Sequence, residues 1–337
     1  MKTLFIGCDI SKKDFEATLR ADDVEQSIGT FKTNPHGYGE LRKAVDKFNK
    51  ADYQIHLIAE PTGTYHLGFI AYAYEQEWEV SLPNPVVIRQ WAKGQGVRIK
   101  TDKIDAHTLA AYGFKEQPAA ENSLPTHVEE LDLMLKRKDD IKKSLRQEKN
   151  RLESYVHRTT GSDATHQSIL DAIAFYEAQL LEIQAAIKSY LKQHQDLAKQ
   201  RTLLSAVPGM GEQGVLKILV FLYRWDARTA SLGNANGLVA FAGLDPVLHS
   251  SSTSVYRRPT ISKMGDSEIR RTLYMSAFGG MKAKSSPLVD FCQRLLERDK
   301  PNKVALVASA RKILVWAFAV FRSGLPFDNA KAMPKSL

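Results

Sequence analysis

The chain has 337 residues, 43% of them hydrophobic and 25% charged, with a formal net charge of +9 and an isoelectric point near 9.3. That apolar content supports a packed core, the length points to two or three domains, and the basic balance favours a polyanionic partner, most often nucleic acid. Two distant cysteines, Cys8 and Cys292, argue against a disulfide framework and for a reducing compartment. Asp9 breaks the first apolar run too early for a secretory signal, and no run is expected to reach the length of a membrane span, so a cytoplasmic protein without membrane contact is expected.

Residues 3–10 read as a mostly apolar, central strand that Asp9 interrupts near its end. Residues 14–20 alternate, with Phe15, Ala17 and Leu19 on one face, and 24–32 is a weaker third strand. Their short connections favour antiparallel pairing. Asn34-Pro35-His36-Gly37 is a turn into a helix carrying Leu41, Ala44, Val45 and Phe48. A strand at 54–59 ends at Glu60, a helix runs through Leu67, Ile70 and Tyr74, and a fifth strand covers 78–82. Pro83-Asn84-Pro85 starts a helix with Val87, Ile88 and Trp91. This is the order of an RNase H-like sheet, although periodicity alone supports only α/β or α+β.

From 131 to 197 the texture changes. Leu131, Met134, Ile141, Leu145, Leu152 and Tyr155, then Leu170, Ile173, Tyr176, Leu180, Ile183, Ile187 and Tyr190, predict two long amphipathic helices in a coiled-coil hairpin. Their polar positions include Lys136, Arg137, Lys138, Lys142, Lys143, Arg146 and Lys149, which form either a solvated face or a surface that tracks phosphates. The third region opens on Val207-Pro208-Gly209-Met210-Gly211 before a helix. It continues through a polar stretch from 245 to 265, with a Ser/Thr cluster at 250–254 that reads as a loop, and closes on helices through Leu273, Leu288 and 304–321. The tail after Pro326 is expected to be loosely held.

Four acids carry the chemistry. Asp102 and Asp105 lie three residues apart ahead of an apolar run, so a helix there puts both on one face. A plain helix start explains the same pair, since Asp is favoured in a first turn. Asp9 and Glu60 stand at strand ends. Hard oxygen ligands of this kind suit Mg²⁺ or Mn²⁺, one ion or two.

Three segments match one family in order and spacing. Gly7-Cys8-Asp9-Ile10-Ser11-Lys12, Glu60-Pro61-Thr62-Gly63-Thr64-Tyr65 and Lys100-Thr101-Asp102-Lys103-Ile104-Asp105-Ala106 resemble the DEDD transposases of insertion sequences. These are relatives of the Piv-type DNA invertases and are also called bridge-RNA-guided recombinases. The resemblance implies an α/β protein in three parts: a RuvC-like, RNase H-fold acidic domain at 1–122, a helical coiled-coil linker at 123–200, and a mainly α transposase domain at 201–330. It implies that Asp9, Glu60, Asp102 and Asp105 are catalytic and bind Mg²⁺, with Mn²⁺ as a substitute. Which of Asp102 and Asp105 is the direct ligand stays open.

The same family carries a catalytic serine after a Gly-Leu-x-Pro segment, here Gly243-Leu244-Asp245-Pro246. Counting on from Phe241, the matching position is Ser251. Ser252, Thr253 and Ser254 stand where the family has glycine, so Ser250 and, more distantly, Tyr256 are alternatives. A serine hydroxyl needs activation, and His249 is nearby in sequence. Arg257, Arg258, Lys263, Arg270 and Arg271 surround this segment and suit phosphate oxygens. The Pro208-Gly209 turn resembles a helix-hairpin-helix element, whose backbone amides meet DNA phosphates. The resemblance further implies double-stranded donor and target DNA, a non-coding bridge RNA that selects sequence by base pairing, and a homodimer assembling to a tetramer. The competing readings are a metal-dependent junction nuclease without a covalent intermediate, a sugar-kinase or actin-like ATPase, and a non-catalytic nucleic-acid adaptor.

Overall fold

The computed structural model describes residues 2–22, 25–48, 53–61, 63–97, 99, 101–157, 161–251, 255–283 and 286–332; the side chains of 248–251, 255–259 and 331–332 are outside that description. The chain divides into two compact units. One comprises residues up to Ser123 together with Asp226–Leu232, and the other comprises Leu124–Trp225 and the chain from Gly233 onward.

The first unit is built on five strands: β1 (Thr3–Ile10), β2 (Asp14–Arg20), β3 (Glu25–Lys32), β4 (Gln54–Ala59) and β5 (Glu79–Ser81), in the spatial order β3-β2-β1-β4-β5. β1–β2 and β2–β3 are antiparallel, as their short connections require, while β1–β4 and β4–β5 are parallel across helical crossovers. β1 is central and buried almost throughout, which is why it reads as an unbroken apolar run. Helices α1 (Pro35–Phe48) and α2 (Leu67–Glu75) cover one face, packing on Leu4, Ile6, Cys8, Phe15, Ala17, Leu19 and Leu57. Helices α3 (Pro85–Gly94) and α4 (Asp102–Glu116) serve the other, where Ile88 and Leu109 pack with Phe5 and Ile58. Asn84 caps α3 by accepting from the Val86 amide at 2.9 Å, and Thr101 caps α4 by accepting from the Ile104 amide at 3.3 Å. Val24, expected in the third strand, lies outside the described residues.

The second unit begins with α5 (Thr126–Val156) and α6 (Asp163–Gln193), an antiparallel hairpin. Lys149 meets Glu177 at 2.7 Å, and the Tyr190 hydroxyl donates to Glu130 at 2.5 Å. The open end of this hairpin is not a separate body. Val128, Leu131, Leu135, Ile187, Tyr190 and Leu191 share one core with Leu204, Leu219, Leu273 and Ile313. After it come α7 (Gln195–Ser205), α8 (Glu212–Arg228), α9 (Ala235–Phe241), the ribbon β6 (Pro246–Ser251) and β7 (Val255–Ile261), then α10 (Ser267–Gly280), α11 (Pro287–Leu296), α12 (Asn302–Ser323) and α13 (Asn329–Ala332).

Three details depart from the sequence reading. The stretch expected as a polar loop contains the antiparallel β6–β7 ladder. Helix α12 is long and apolar enough, by composition, to cross a membrane, contrary to the expectation that no run reaches that length. Its apolar residues instead join the core, Ile313, Leu314 and Ala317 being fully buried. The tail beyond Pro326 is partly anchored, because the Phe327 ring packs edge-on against Trp316 with centroids 5.2 Å apart.

Candidate acidic site and nucleic-acid interface

Strand register brings two of the acids together. In the parallel β1–β4 pair, Gly7 stands beside Ile58 and Cys8 beside Ala59, so Asp9 and Glu60 come next on adjacent chains. Side chains alternate along a strand, which puts Asp9 on the face of Phe5 and Gly7, and Glu60 on the face of Ile58. That is the face covered by α3 and α4.

Helix α4 supplies the other two. It crosses β1 so closely that a Cβ on Gly7 would stand 2.2 Å from both the Ala106 carbonyl oxygen and the Ala110 nitrogen. Further along the helix, a Cβ on Gly113 would meet Ile58 and Phe5 at 2.6 and 2.8 Å. The helix therefore runs against β1, and its first turn, with Asp102 and Asp105, lies toward the Asp9 end. Thr101 fixes where that turn begins. The helix N-terminus favours acids there. Asp9, Glu60 and Asp105 are half-buried, and Asp102 is exposed. Register and helix direction thus put all four toward the same end of the sheet. Among the described residues, however, no three His, Cys, Asp or Glu side chains stand close enough to hold a metal ion. In chemistry, four carboxylates are the hard oxygen donors that a divalent cation takes. Cys8 is not a donor: it faces the opposite core, and burial, helped by the charge of Asp9, pushes its thiol well above the usual range.

Ser251 ends β6, opposite Val255; Ser250 pairs with Tyr256 and His249 with Arg257. Ser252, Thr253 and Ser254 lie outside the described residues, as do the side chains of Ser250, Ser251, Tyr256, Arg257 and Arg258. Of the remaining basic residues, Lys263 is exposed in the turn after β7, with a left-handed φ of 58°. Arg270 is occupied: its guanidinium donates to the carbonyls of Ala242 at 3.1 Å and Gly265 at 2.7 Å. Arg271 lines a cleft of about 1300 Å³.

That cleft unites two sequence features that lie far apart in the chain. Lys138, Lys142, Lys143 and Arg146 of α5 line it, and so do the Pro208-Gly209-Met210-Gly211 turn and the start of α8. Gly209 takes φ of 85°, open to glycine, and a Cβ there would stand 2.9 Å from the Ser276 carbonyl. Lys217, on the same wall, pairs with Asp139 and Glu268; burial opposes its charge, but the two pairs outweigh it and raise the pKa. Lys138 goes the other way, lowered by burial and by the neighbouring Lys142. Cations crowd here without enough acid to match them, a surface suited to phosphates. Lys136 and Lys149 instead make ion pairs, with Asp132 and Glu177. Sequence periodicity exposed the lysine face but could not show that the glycine turn stands across from part of it.

Comparison with known proteins places both parts of the chain in one group of DNA-rearranging enzymes. Residues 6–160 match a transposase family of the DEDD IS110 type, and residues 201–292 match the family described as Transposase IS116/IS110/IS902. The chain is 31% identical to a pilin gene-inverting protein of Moraxella bovis and 30% identical to one of Moraxella lacunata. Each alignment covers 98% of this chain and 99% of the relative.

Proposed function

Because the chain belongs to the IS110 family of DEDD transposases, enzymes that rearrange DNA, we propose that it cuts and rejoins DNA strands to insert and excise a mobile element. The first unit is read as a RuvC-like, RNase H-fold domain in which Asp9, Glu60, Asp102 and Asp105 hold Mg²⁺ or Mn²⁺. What supports this reading is that strand register and the seating of α4 put Asp9, Glu60 and the first turn of α4 at the same end of the sheet. A bound cation supplies Lewis-acid stabilisation of charge on a phosphate.

Ser251 is the nucleophile. Its oxygen bonds to phosphorus as the bond from phosphorus to one deoxyribose oxygen breaks, leaving a phosphoserine link and a free DNA hydroxyl. The reverse attack by a hydroxyl of the partner strand frees the serine and seals the new junction. The basic cleft and the arginines around the ribbon track the DNA backbone, while a bridge RNA pairs with donor and target and so selects sequence. The active assembly is a tetramer of two dimers.

Trapping labelled DNA on the purified protein under denaturing conditions tests the covalent step. Wild-type protein should retain label, and Ser251→Ala should lose both label and strand joining while keeping its melting temperature. Asp105→Asn should lose activity by a factor of about a thousand or more. Full strand joining by Ser251→Ala refutes the serine assignment, and cleavage without any trapped label returns the protein to the class of metal-dependent nucleases.

A further inference from the structure

We propose that Glu16 is a fifth acid of the cation site, sharing a divalent cation with Asp9 through its Oε2 oxygen. This rests on the reading of the acidic edge given above.

The ladder sets Glu16 directly opposite Asp9 in the antiparallel β1–β2 pair, and Thr30 directly opposite Glu16 in the β2–β3 pair. Directly paired residues share a face of the sheet, so Thr30, Glu16, Asp9 and, one step beyond the end of β4, Glu60 form a row across four strands. In sequence the position looks ordinary. Phe15, Ala17 and Leu19 take the core face of β2, which leaves Glu16, Thr18 and Arg20 for what reads as a solvent face. Helix α4 covers that face instead: Thr18 is 3% exposed and Glu16 only 9%.

The surroundings of Glu16 do not satisfy it. The Thr30 hydroxyl donates to Oε1 from the β3 side. Oε2 is shut off from solvent and has no hydrogen-bond partner among the described residues. A buried carboxylate oxygen without a partner is costly, and a second carboxylate directly across the ladder adds repulsion. A glutamine would keep the Thr30 bond and avoid both penalties. A divalent cation offsets both at once, by ligating the unpartnered oxygen and by neutralising the pair. Thr30 then acts as the positioning residue, fixing one oxygen so that the other is presented.

The experiment is a Mn²⁺ titration of metal-free, full-length protein, following the free-ion signal by electron paramagnetic resonance, with melting temperatures recorded in parallel. Glu16→Gln should weaken Mn²⁺ binding by about 10- to 100-fold. It should also melt no lower than wild type without metal, and show a smaller metal-induced rise. Asp9→Asn should weaken binding at least as much. If Asp9→Asn loses Mn²⁺ while Glu16→Gln binds like wild type, Glu16 is not part of the site and the acidic edge stands. If neither change alters binding, the metal reading itself fails. A Glu16→Gln protein that melts lower without metal, or fails to fold, assigns the carboxylate a structural role and overturns the proposal.

Discussion

Asp9 and Ser251 are held by sheets of different kinds. Asp9 is next to last in the central strand of a five-stranded sheet with helices on both faces, and its neighbour α4 rests on a glycine that leaves no slack. Ser251 ends one strand of two, in a ladder with a register shift between Val247 and His249. Two strands alone are marginal. This ribbon is tied at its base, where the Ser262 amide donates to Asp245 at 2.9 Å, the Lys263 amide to Gly243 at 3.1 Å, and Arg270 to the Ala242 and Gly265 carbonyls. The acids thus inherit their geometry from a core, and the serine from a few polar tethers. Changes near Asp9 should therefore cost stability and activity together, whereas changes near Ser251 should separate the two.

The sharpest way to break that contrast is Gly7→Ala. Its added carbon would fall on two backbone atoms of α4, neither able to rotate away. The helix must lift from β1, carrying Asp102 and Asp105 with it. Urea denaturation should show a loss of about 3 kcal/mol or more, and strand joining should fall with it. A Gly7→Ala protein of wild-type stability would mean that α4 is not seated as described.

The same unit should be the more acid-sensitive. His56 is buried beneath the α4 face, its Nε2 2.8 Å from the Ser81 hydroxyl, which in turn donates to the Ala119 carbonyl at 2.8 Å. Burial lowers its pKa to about 4. Glu79, 3.4 Å from Nδ1, is too exposed to offset that burial. The unfolded chain takes up this proton near pH 6.5, the folded one only near 4, so the stabilisation is complete above 6.5 and disappears as pH falls to 4. At full size it amounts to about 3 kcal/mol. Between pH 7.5 and 4.5 wild type should lose more stability than His56→Gln, and Ser251→Ala should lose as much as wild type.

The contrast also governs what the chain discloses before it is folded. β1, β2 and β4 are legible because a two-sided core demands apolar runs or alternation, and both leave a mark in sequence. The motifs single out Asp9, Glu60, Asp102 and Asp105, and register and helix direction put these toward one end of the sheet. Glu16 is not legible, because alternation assigns it to the outer face of β2 and says nothing of a helix that returns some ninety residues later to cover that face. The β6–β7 ribbon is hidden for the opposite reason. His249, Ser250 and Ser251 sit in a ladder without the apolar stripe that betrays a strand, so their composition reads as loop. Helix α12 misleads by composition as well, since a helix buried on several sides carries the same residues as a membrane span.

Two adjacent arginines on α10 give the finest test, because the sequence treats them alike and the fold does not. Arg270 ties the ends of the ribbon together; Arg271 is exposed and lines the basic cleft. Arg270→Ala removes two charged hydrogen bonds to backbone and should cost about 2 kcal/mol. Strand joining should fall while binding of non-specific duplex DNA changes little. Arg271→Ala should alter stability by less than about 0.5 kcal/mol. It should weaken DNA binding at every sequence tested and reduce the slope of log affinity against log salt by about one. If Arg270→Ala instead reproduces the salt effect without loss of stability, the ribbon is held by something other than that guanidinium, and the account of how Ser251 is positioned has to be rebuilt.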